Sequence, residues 1–96
     1  MKMIQITPPK RITRKYLSSV LVQINRANGL PDGDKYEMQE DGSFNTKRGT
    51  LVIRSAYGAV GVSSIYEDGG TAQNNVTGLA TPRATLNKLT QIIATL

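Results

Sequence analysis

The stretch Thr50-Leu51-Val52-Ile53-Arg54-Ser55-Ala56-Tyr57-Gly58-Ala59-Val60-Gly61-Val62-Ser63-Ser64-Ile65-Tyr66 decides the fold class. Its β-branched residues favour the pleated, half-buried surface of a strand. Gly58-Ala59 reads as a turn, and beyond it Val60, Val62, Ser64 and Tyr66 alternate with Gly61, Ser63, Ile65 and Glu67. Two strands are therefore expected, Thr50 to Tyr57 and Val60 to Glu67, paired back on one another. Leu51, Ile53 and Tyr57 would then meet Val60 and Val62 on one apolar face.

Upstream, Leu17, Val20, Leu21, Ile24 and Ala27 keep the i, i+3, i+4, i+7 spacing of one buried helix face. Thr13 offers an N-cap and Asn28-Gly29 a stop, so a helix is predicted over residues 14–28. Downstream, Thr81 as N-cap and Pro82 at the first helical position open a second helix. Its buried stripe is Leu86, Leu89, Ile92, Ile93 and Leu96.

Three weaker segments complete the pattern. Lys35-Tyr36-Glu37-Met38-Gln39 alternates, Asp41-Gly42 is a strong hairpin signal, and residues 43–46 are expected to pair back. Met3 to Thr7 reads as a short edge strand before Pro8. Residues 69–80 read as a polar loop. The class that follows is α+β: one domain over residues 1–96, with an antiparallel sheet of three to five strands and two amphipathic helices packed on one face.

Composition removes several functions. The chain has 96 residues with neither Cys nor His, so disulfides, thiolate metal sites and Cys- or His-based catalysis are excluded. No cofactor or metal is expected. Asp32-Gly33-Asp34 begins like a calcium loop but lacks the later ligands, and Gly69-Gly70 belongs to no phosphate-binding motif. The opening Met1–Ile6 has no apolar core of a signal peptide, and no apolar run approaches the roughly 18 residues of a membrane span. A cytoplasmic protein without a membrane partner is expected, and no enzyme.

Charge is the informative property. Twelve Lys and Arg against seven Asp and Glu leave +5, and the excess is segregated. Lys10, Arg11, Arg14 and Lys15 gather with Tyr16 at the start of the first helix, where the macrodipole disfavours cations. With Arg48 and Arg54 they form a candidate basic patch for phosphate or acidic partners. Glu37, Glu40 and Asp41 form a candidate acidic hairpin able to steer association. Tyr36, Tyr57 and Tyr66 are the candidate interface anchors.

The helix with Thr13-Arg14-x-x-Leu17 ends in Ala27-Asn28-Gly29-Leu30; the tract Thr50–Gly58, the turn at Gly69-Gly70 and the closing Thr81-Pro82-Arg83 helix follow. In this arrangement the chain resembles small uncharacterised proteins encoded by bacteriophages and prophages. The resemblance implies a non-enzymatic accessory protein in the host cytoplasm. Such a protein binds and modulates a host macromolecule, first of all a host protein, as an anti-CRISPR-like inhibitor does. The alternatives are a small basic nucleic-acid-binding protein and a sequestering protein for an anionic small molecule, held by Arg54 or Arg83 near Gly69-Gly70. A homodimer is compatible with each.

Overall fold

A computed structural model of the chain describes residues 1–33 and 37–96. Helix α1 (Arg14–Ala27) precedes strands β1 (Leu51–Ala56), β2 (Ala59–Ile65) and β3 (Gln73–Asn75); helix α2 (Pro82–Ile92) and a 3-10 turn (Ile93–Thr95) close the order. The strands form one antiparallel sheet in the order β1-β2-β3, so the fold is α+β.

Both helices start where their caps dictate. Thr13 Oγ1 accepts from the Tyr16 N–H at 3.1 Å, and Thr81 Oγ1 accepts from the Ala84 N–H at 3.2 Å. Each bond satisfies one of the orphan amides of a first turn. Gly29, at φ +71°, follows the Asn28 C-cap.

Strands β1 and β2 pair in the register Leu51↔Ser64, Ile53↔Val62 and Ser55↔Val60. The turn between them is Tyr57-Gly58, not Gly58-Ala59: Ala59 is already paired with Ala56. Both turn residues have positive φ, 53° and 75°, as a two-residue type I′ hairpin requires. Tyr57 therefore leaves the apolar face assigned to it and stands in solvent.

Alternation along paired strands puts Leu51, Ile53, Val60 and Val62 on one face. Leu51, Val60 and Val62 join Leu17, Val20, Leu21 and Ile24 of α1 and Leu86, Leu89 and Ile93 in one buried cluster. In the closing stripe Ile92 is half-buried and Leu96 exposed.

Three buried polar side chains hold the layers in place, and each is satisfied. Asn25 lies in α1 and grips β1: its Nδ2 donates to the Leu51 carbonyl at 2.9 Å, and its Oδ1 accepts from the Leu51 N–H at 2.8 Å. Thr77 Oγ1 accepts from the Val62 N–H at 3.0 Å, and Thr85 Oγ1 donates to the Val60 carbonyl at 3.0 Å. Paired in this way, buried polar groups avoid the desolvation penalty of an unmade bond.

Three further expectations change. Residues 3–7 form no strand; the Lys2 N–H donates to Asn28 Oδ1 and Asn28 Nδ2 donates back to the Lys2 carbonyl, both at 2.8 Å. A side-chain amide thus takes the place of a neighbouring strand, while Met1, Met3, Ile4 and Ile6 pack on the core. The acidic segment makes a turn with the single bridge Met38↔Phe44 rather than two sheet strands. Its ladder is interrupted because two of its donors turn to side chains: the Glu37 N–H bonds Asn45 Oδ1 and the Ser43 N–H bonds Asp41 Oδ1. Lys35 and Tyr36 of that predicted strand lie outside the described residues. Finally, the 69–80 loop contains β3, whose polar Gln73-Asn74-Asn75 pairs with the end of β2.

Candidate functional site: a basic end with an exposed aromatic

The N-terminal turns of both helices lie at the hairpin end of the sheet. Arg14, first residue of α1, donates from Nε to Ser55 Oγ at 2.8 Å. Ala80, two residues before α2, exchanges both backbone bonds with Val60, at 2.9 and 2.8 Å. Arg83 donates from an Nη to the Lys10 carbonyl at 2.7 Å, tying the start of α2 to the segment before α1. Lys10, Arg11, Arg14, Lys15 and Arg83 are exposed, and neither helix has an acid in its first turn. Five side-chain cations and two positive helix-dipole ends therefore share one end of the molecule.

A groove of about 350 Å³ opens there, lined by Arg14, Ser55, Gly58, Ala59, Val60 and Pro82. Its floor is apolar and its rim carries a guanidinium. At the hairpin tip beside it, Tyr57 is 103% exposed, the most exposed large hydrophobic side chain among the described residues. A bulky residue in the left-handed region is strained, and Gly or Asn fits such a turn position better.

The remaining candidates lie elsewhere. Arg54 faces away from Ser55, since successive strand residues alternate, and its Nη2 donates to the Thr77 carbonyl at 2.7 Å. It braces the sheet against the chain that follows β3. Arg48 sits at the opposite end of β1, where its N–H donates to Asp68 Oδ1 at 2.8 Å. The two do not extend the helix-start cluster. Neither Arg54 nor Arg83 adjoins Gly69-Gly70: Gly69 lies by Ser43, and the Gly70 carbonyl accepts from Thr46 Oγ1 at 2.5 Å.

The exposed Glu37, Glu40 and Asp41 lie at this far end as well, linked through the Phe44–Gly69 bond to the end of β2. Asp41 Oδ1 accepts from the Ser43 Oγ–H at 2.6 Å and from its N–H at 3.0 Å. The Ser43 hydroxyl, followed by the Ser43 N–H, holds the Asp41 carboxyl below its ordinary 3.8. Asp32 makes a two-point pair with exposed Arg26, at 3.0 and 3.1 Å. Gly33 packs on the Leu51 carbonyl and Val52 Cγ1, which gives Asp32-Gly33 a packing role. Among the described residues no group of three or more acids is placed to hold a metal, and no helix is long and apolar enough to cross a membrane.

The sequence reading missed Arg83 and Ser55 as parts of the basic end. Arg83 was within reach of inference, since it directly follows the Thr81-Pro82 helix start. Ser55 was not, because only the fold brings it to Arg14. No protein-family model matches the chain, and no match was found among curated proteins or solved structures.

Proposed function

We propose that this chain is a non-enzymatic binding protein that engages a host macromolecule, a protein with an acidic surface, and modulates it. The observation that carries the reading is Tyr57: a fully exposed aromatic on a rigid two-residue turn, beside an apolar groove and exposed cations. Aromatic anchors surrounded by polar rims dominate the energetics of protein interfaces. The cations of the basic end supply long-range attraction that raises association rates toward an acidic partner. With both helices packed on the face of Leu51, Val60 and Val62, the hairpin tip stays free for contact.

The resemblance to phage-encoded proteins makes bacterial cytoplasm the medium for the test. A photo-crosslinking amino acid at position 57 is expected to trap one protein from a bacterial lysate, competed by excess wild-type chain. Arg14→Gln with Lys15→Gln should abolish the adduct, and nuclease treatment should leave it intact. An adduct destroyed by nuclease would replace the reading with nucleic-acid binding. Absence of any competed adduct would overturn both.

A further inference from the structure

The basic end asks for an apolar side chain flanked by carboxylates, and the chain itself displays one. In Glu37-Met38-Gln39-Glu40-Asp41, Met38 is 67% exposed, and every residue of the segment stands in solvent. A Met thioether side chain is flexible and fills irregular apolar grooves well. The acids on either side of it would face the guanidinium and ammonium groups around the groove. Within one molecule the two cannot meet. The groove adjoins the β1–β2 turn, whereas the acidic segment is tied to Gly69 beyond the other end of β2. Strands of this length hold those ends about 20 Å apart.

We infer that the occupant of the groove is the Glu37–Asp41 segment of a second copy of this chain. The contact goes beyond the binding of a host partner, and it makes the two mutually exclusive at the same surface. Two copies related by a two-fold axis satisfy both grooves at once and close the assembly. A single head-to-tail contact leaves one groove and one acidic segment open. Either way the attraction is between exposed charges, so it weakens as the screening length falls from about 10 Å at 0.1 M salt to about 3 Å at 1 M.

Sedimentation velocity on the full chain tests this. Wild type is expected to sediment faster with rising concentration at low salt, and as a monomer near 1 M salt. Two variants carry the decision: one with Arg14→Glu and Lys15→Glu, the other with Glu37→Lys and Glu40→Lys. Each should be monomeric alone, and an equimolar mixture should form a one-to-one heterodimer, because each keeps the surface the other has lost. Met38→Ser, which leaves all charges in place, should weaken wild-type association at least tenfold. Circular dichroism confirms that each variant is folded, and Lys2→Glu with Lys88→Glu, both exposed and outside the two surfaces, matches the charge change of the basic-end reversal. A wild type that stays monomeric up to about 1 mM at low salt overturns the inference. So does a mixture of the two reversals that remains monomeric.

Discussion

Arg54 lays its guanidinium across Gly61, its cross-strand partner: a Cβ at position 61 would stand 3.2 Å from Nε and 3.3 Å from Nη2. The same Cβ would lie 3.1 Å from the Gly78 carbonyl. The glycine is there for close approach, with no turn to make. It lets a long cation cross β2 and reach Thr77.

Gly61→Ala is therefore expected to destabilise the fold by roughly 1–3 kcal/mol, the usual range for overpacking. The penalty should shrink when Arg54→Ala is combined with it, with a coupling of at least about 0.5 kcal/mol in a double-mutant cycle. Urea denaturation of the four proteins measures this. Strict additivity would assign the clash to the Gly78 carbonyl instead.

Asn25→Ala should be among the most damaging single changes in α1. It leaves the Leu51 N–H and C=O without their partner in a buried setting, at a cost of roughly 2–5 kcal/mol. That is a large share of the 5–15 kcal/mol typical of a domain. Amide exchange gives the specific readout: the Leu51 N–H, protected in the wild type, should exchange early in the variant. Equal protection in both would show that Asn25 is not its partner in solution.

The Asp41 carboxyl should titrate below its ordinary 3.8, and Ser43→Ala should return it toward that value. With the folded value depressed, any stability Asp41 contributes is complete above 3.8 and lost as pH falls through the folded value. The loss should therefore fall in the acid range below 3.8 and become smaller in Ser43→Ala, which removes the hydroxyl bond but keeps the Ser43 N–H. Carbon-detected NMR titration of the carboxyl checks both statements. An Asp41 that titrates normally in the wild type would mean that the Ser43 bonds do not persist.

Helices and capping were legible in the sequence because their signals are local. Thr13, Thr81-Pro82 and the Leu17–Ile24 and Leu86–Ile93 stripes act within a turn or two of the chain. What was misread depends on distant partners. Gln73-Asn74-Asn75 has the composition of a loop and becomes a strand only because the end of β2 offers unpaired backbone. The Asp41-Gly42 turn is legible in the sequence, yet the Asn45 and Asp41 side chains draw off the Glu37 and Ser43 N–H bonds its flanks needed to become sheet strands. Asn25 stands among apolar neighbours with nothing local to mark it as the clasp on Leu51. For the candidate site, the Lys10–Lys15 cluster could be read directly. The separation of Arg48 and Arg54 from it could not, since strand alternation and the position of α1 decide it.

Tyr57→Asn should raise stability and lower binding. Asn tolerates the left-handed conformation that costs other L-residues about 1–2 kcal/mol. An increase in thermal midpoint of several degrees is expected for so small a domain. The same variant should lose the aromatic anchor and so the lysate crosslink, with the crosslinker moved to Ala84, exposed in the first turn of α2. A midpoint that falls would mean that the Tyr57 ring stabilises the turn, and the strain argument would be wrong.

The clasp between Asn25 and Leu51 also bears on how the chain reaches its native state. The β1–β2 ribbon is local and can form in about 1–10 μs. Until α1 docks, the outward N–H and C=O of Leu51 belong to a naked edge beside Val52 and Ile53, the kind of edge that templates aggregation. Synthesis from the N-terminus delivers α1 before β1 exists, so on the ribosome the clasp waits for the strand. Dilution from denaturant has no such order. Refolding yield should fall steeply with concentration, and most steeply in Asn25→Ala, whose edge stays open after α1 has arrived.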